Sequence, residues 1–81
     1  MNLRVRLFAI ARQAAGTEAV EVALPEDATV GQLRGELARR VPQLSGLLPH
    51  VTFAVGEQYA DDQTVLSENV EVACIPPVSG G

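Results

Sequence analysis

Leu3, Val5 and Leu7 alternate with Arg4, Arg6 and Phe8, the period of two that a strand shows when one face is buried. The short alanine-rich run 9–15, stopped by Gly16, predicts a turn or two of helix. Val20, Val22 and Leu24 alternate again until Pro25, so the first two strands form a pair with a helical connection.

Thr29 stands three residues before Gln32, the spacing of a capping box, in which each side chain satisfies a free backbone donor at a helix start. Val30, Leu33, Leu37 and Val41 then recur at intervals of three and four. They draw one apolar stripe, with Arg34, Glu36, Arg39 and Arg40 off it and Pro42 closing the helix. Gly31 and Gly35 each weaken this helix by about 1 kcal/mol relative to alanine, so it depends on packing against a sheet. Gly35 is the position expected to admit a close neighbour.

Val51, Phe53 and Val55 alternate, Gly56-Glu57 supplies a turn before Tyr59, and Asp61-Asp62 marks the next reversal. Thr64-Val65-Leu66 is a short connector and Ser67-Glu68-Asn69 a turn. Val70, Val72 and Cys74 then alternate with Glu71, Ala73 and Ile75 in a final strand. The order is strand, strand, helix, strand, short strand, strand. That is an α+β arrangement, one main helix on a mixed sheet, with the first and last strands at its centre. The division is 1–75 as a domain and 76–81 as an extended tail.

Composition narrows the reading. A chain of 81 residues has a core large enough for one domain and little room for a self-contained cavity, which points to a partner. No run approaches the roughly 18 apolar residues of a membrane span, and the alternating N-terminus does not read as a signal peptide. The expected location is the cytoplasm. The net charge of -4 with dispersed acidic residues offers no basic stripe for nucleic acid. All six cations are arginines, so the chain has no lysine to accept an isopeptide bond. The single Cys74 reads as a small core residue, because nothing basic adjoins it to lower its pKa. His50 has no second ligand at metal spacing, and Asp61-Asp62 reads as a turn.

Pro76-Pro77-Val78-Ser79-Gly80-Gly81 cannot continue the sheet, since two prolines remove two donors and fix an extended path. A stiff proline base would carry a tip without side chains, able to thread a narrow channel and present the Gly81 carboxylate. A carboxylate is a poor electrophile, so its use would be ATP-dependent adenylation followed by replacement of AMP by sulfur, giving a thiocarboxylate. Phe8, on the arginine-bearing side of the first strand, and Ile75 are expected to share an exposed docking patch at the root of the tail. Arg12 is a candidate contact for an acidic partner surface.

The chain resembles the small subunit of molybdopterin synthase (MoaD-like), within the ubiquitin-like sulfur carriers. The resemblance rests on Leu7-Phe8-Ala9 with Arg12 and Gly16, the Thr29-Val30 to Leu33 helix start, and Val70-Glu71-Val72-Ala73 running into Ile75-Pro76-Pro77-Val78-Ser79-Gly80-Gly81. It departs from the family pattern at Cys74, where an aromatic is frequent, and at Gly56, where asparagine is frequent. The resemblance implies a β-grasp fold and a non-catalytic subunit that binds no cofactor or metal itself. It implies activation of Gly81 by an E1-like adenylating enzyme (MoeB-like) that uses ATP. The thiocarboxylated tail would then enter a large subunit (MoaE-like), where sulfur passes to cyclic pyranopterin monophosphate in molybdenum cofactor biosynthesis. Delivery to thiamin thiazole or tRNA, and a role as a protein modifier, stand as alternatives.

Overall fold

The computed structural model describes residues 1–77; Val78, Ser79, Gly80 and Gly81 lie outside the described residues. Strand β1 (Asn2–Leu7) buries Leu3, Val5 and Leu7 and leaves Asn2, Arg4 and Arg6 exposed, as its alternation predicts. Helix α1 (Ala9–Ala15) follows and ends at Gly16, whose φ of 75° is the left-handed cap conformation that glycine adopts without a Cβ clash. Strand β2 (Ala19–Ala23) returns antiparallel to β1, with Leu3 opposite Val22 and Val5 opposite Val20.

Helix α2 (Val30–Arg40) opens on the expected capping box: the Thr29 N–H donates to Gln32 Oε1 at 2.9 Å and the Gln32 N–H to Thr29 Oγ1 at 3.3 Å. Its stripe of Val30, Leu33 and Leu37 is fully buried. Two 3₁₀ turns, Pro42–Leu44 and Leu48–His50, follow and add Leu44 and Leu48 to the core. Strands β3 (Thr52–Val55) and β4 (Gln58–Ala60) form a hairpin. Gly56 (φ 56°) and Glu57 (φ 72°) both take the left-handed conformation that a tight two-residue hairpin turn requires. The last strand, β5 (Val72–Ile75), begins two residues later than the alternation suggests, with Val70 half-buried in the turn before it.

The sheet order is β2-β1-β5-β3-β4, so the first and last strands are neighbours and β5 is central. They run parallel, with Leu7 beside Cys74, and β5 runs antiparallel to β3. One face of this mixed sheet packs on α2, which is the β-grasp arrangement. Among the described residues no polar or charged side chain is buried, and the core is aliphatic around Phe53.

Two details differ from the sequence reading. At Gly35 a Cβ would meet nothing within 4 Å, whereas at Gly31 it would lie 3.2 Å from the Asp62 carbonyl oxygen. The close approach is therefore at Gly31, whose N–H donates to that oxygen at 2.9 Å. Arg34, off the apolar stripe, has a structural role that the pattern does not show. Its guanidinium donates to the carbonyls of Leu48 and Val51, pairs with Asp62 at 2.7 Å, and lies 5.0 Å from the Phe53 ring centre. That planar fork ties α2 to the 3₁₀ turns and to the loop after β4.

Candidate functional site

The uncovered face of the sheet and the exit of β5 make up the site. Because β1 and β5 are parallel and in register at Leu7 and Cys74, Phe8 and Ile75 come to the same end of the sheet. Phe8 sits one step past β1, as the residue preceding α1, with 38% of its surface exposed and the Arg6 guanidinium 5.4 Å from its ring centre. Together with Arg4, Arg12, Glu18, Glu21 and Glu71 these residues line an open groove. Arg6 pairs with Glu71 at 3.5 Å and Arg12 with Glu18 at 3.7 Å, all four side chains being more than half exposed. Exposed pairs of this length contribute little, so both arginines stay free to exchange their partners for carboxylates on another surface.

Ile75 is at the expected end of the sheet but does not line this groove. It is half-buried opposite Thr52 and lines a second hollow with Thr52, Tyr59, Pro76 and Pro77. Phe8 and Ile75 therefore line separate hollows, the first edged by arginines and glutamates along β1 and the second largely apolar. Tyr59 is the residue that pattern reading passes over: it is 77% exposed on the edge strand β4, where alternation identifies it only as outward-facing. Pro76 is buried and Pro77, the last described residue, is exposed. The remaining tail residues named above, Val78, Ser79, Gly80 and Gly81, are outside the described residues.

Neither hollow holds a reactive group. Burial pushes the Cys74 thiol up to about 11 against the opposing pull of the Arg34 charge, so desolvation wins and the thiol stays protonated. Among the described residues no three His, Cys, Asp or Glu side chains are grouped to hold a metal ion. Nor is any helix there long and apolar enough to cross a membrane. What the arrangement offers is a surface for docking, with the last described residues, Pro76 and Pro77, beside it.

Residues 5–81 match the ThiS family. The chain belongs to that family. Relatives carry the name that the sequence resemblance gives: over 81 residues it is 32% identical to the molybdopterin synthase sulfur carrier subunit of Arabidopsis thaliana, covering 100% of this chain and 84% of that one. Among solved structures it is similar to SAMP1 of Haloferax volcanii, with 29% identity, a TM-score of 0.88 and full coverage of both chains. It is also similar to a putative molybdopterin converting factor subunit 1 of Pyrococcus furiosus, with 28% identity and a TM-score of 0.85 over 96% of this chain and 99% of that one. In this ThiS-family chain, the family match runs from β1 through Gly81.

Proposed function

We propose that this chain is the sulfur carrier subunit of a molybdopterin synthase, and that the carboxyl group of Gly81 is its only reacting group. The observation that carries the proposal is the placement of the exit. The central strand ends at Ile75, and Pro76 and Pro77 follow it along an apolar hollow, with Pro77 four residues before Gly81 in the sequence. Family membership and the names of the relatives support it. An oxygen of the carboxylate attacks the α-phosphorus of ATP on an E1-like partner, and pyrophosphate leaves. A sulfur nucleophile then attacks the Gly81 carbonyl carbon and AMP leaves, giving a thiocarboxylate. Pro77 stiffens the emerging chain, Val78 and Ser79 extend it, and Gly80 keeps the tip narrow enough to thread the large subunit's channel. Phe8, Arg12 and Ile75, joined by Tyr59, contact the partners. The large subunit supplies the catalytic side chains and accepts sulfur onto cyclic pyranopterin monophosphate.

The test is reconstitution with a molybdopterin synthase large subunit, an adenylating enzyme, ATP and a sulfur source. Molybdopterin forms with the intact chain, and deleting Gly81 abolishes it. Equal product from the deletion variant would overturn the proposal. A second reading, a protein modifier, is favoured by the likeness to the archaeal modifier proteins. It predicts Gly81 in amide linkage to other proteins and no product in the reconstitution.

A further inference from the structure

An activated acyl group on a protein is intercepted mainly by amines and thiolates. This chain presents neither on an open side chain, and its one amine is hydrogen-bonded into the fold. It contains no lysine, and its six cationic side chains are all guanidinium groups, which are poor nucleophiles. Its one thiol, Cys74, is 0% exposed. With its pKa pushed up to about 11, about one Cys74 thiol in a thousand is ionised at about pH 8. The amino group of Met1 is half-buried and donates to the Leu24 carbonyl at 2.6 Å. The fold does not demand this composition. Arg34 needs its fork, but the other arginines are exposed; Arg39, for example, donates to both Glu36 carboxylate oxygens with 76% of its side chain in solvent, where a lysine would keep the charge and lose one exposed bond of little worth.

We infer that the chain is a one-way acyl donor: once Gly81 is activated, it passes to other molecules and not to a second copy of this chain. In the excluded reaction, a free amine would attack the Gly81 carbonyl carbon and form a C–N bond. AMP would leave with the bonding electron pair, and the amine's proton would pass to solvent. With no such amine presented, a carrier activated at high local concentration does not consume itself in carrier-to-carrier amides. The inference rests on Gly81 being the activated group.

The test uses the full chain with a C-terminal thioester of mercaptoethanesulfonate installed chemically, so that it does not depend on any activating enzyme. The concentrated protein is held at about pH 9, where about one exposed lysine amine in twenty-five is free base. The wild-type chain yields only hydrolysed monomer. Arg39→Lys, which keeps the charge beside Glu36 and lies outside both hollows, yields a reductant-resistant species of twice the mass, linked at residue 39. Wild-type dimer equal to that of the variant, or a wild-type linkage mapped to Met1, would overturn the inference. So would a variant that stays as monomeric as the wild type, since lysine would then not be what limits the reaction. Failure of the carrier reading shows separately, as no product in the reconstitution.

Discussion

On the inner face of the sheet Leu3, Val5, Leu7, Phe53, Val72 and Cys74 meet the helices with exposures of 2% or less. On the outer face of the same strands Arg4 stands opposite Glu21, Arg6 pairs with Glu71, and Tyr59 is open to solvent. Each strand thus carries both surfaces, and the pleat separates them residue by residue. The inner face holds the fold through close packing and tolerates little change. The outer face adds little to stability, which leaves it free to be shaped for partners. A chain this small has no other place to put recognition, because its interior is filled and its reacting group is proposed to lie at its end.

The contrast is sharpest at Phe53. Phe53→Ala removes the largest fully buried side chain and is expected to cost about 3–5 kcal/mol in urea unfolding, a large part of the roughly 4–12 kcal/mol typical of a domain this size. A loss below about 1 kcal/mol would mean that the inner face is not the packed core described here.

Next in size is a pH effect confined to the inner face. The Cys74 thiol rises from an ordinary 9.0 to about 11 because burial disfavours the thiolate. Above about pH 9 the unfolded chain releases this proton while the folded chain retains it, so stability falls as pH rises, by about 2–3 kcal/mol on reaching pH 11. Urea midpoints measured across that window should show the decline in the wild-type chain and a shallower one in Cys74→Ala. Identical slopes would place the thiol in contact with water.

The smallest effect on stability belongs to the outer face. Tyr59→Ala is expected to change unfolding free energy by no more than about 0.5 kcal/mol, yet to weaken binding to the large subunit by about tenfold, read by calorimetry on the purified pair. Unaltered affinity would remove Tyr59 from the docking surface.

Much of the inner face is legible in the sequence, because burial writes itself as a period. Alternation at Leu3, Val5 and Leu7 and at Val72 and Cys74 locates the two central strands, and Thr29 with Gln32 locates the helix start. Residues 42–50 show no such signal. Their 3₁₀ turns are too short to repeat, so Leu44 and Leu48 enter the core unannounced. The role of Arg34 is equally hidden, since its partners lie 14, 17 and 28 residues further along the chain. Gly31 and Gly35 differ only in what the fold brings beside them, and that neighbour, Asp62, comes from a distant loop. At the site, the parallel pairing of β1 with β5 brings Phe8 and Ile75 to one end, as their strands suggest. The second hollow takes one of its walls from Tyr59, supplied by an edge strand of three residues.

The central claim is that the body docks and Gly81 reacts. It is tested most directly by the intact mass of the protein isolated after coexpression with an adenylating partner and a sulfur source. The account predicts a gain equal to the difference between one sulfur and one oxygen atom, located by fragmentation at Gly81. A mass that stays at the unmodified value, with the partner shown to hydrolyse ATP on a known carrier, would contradict it.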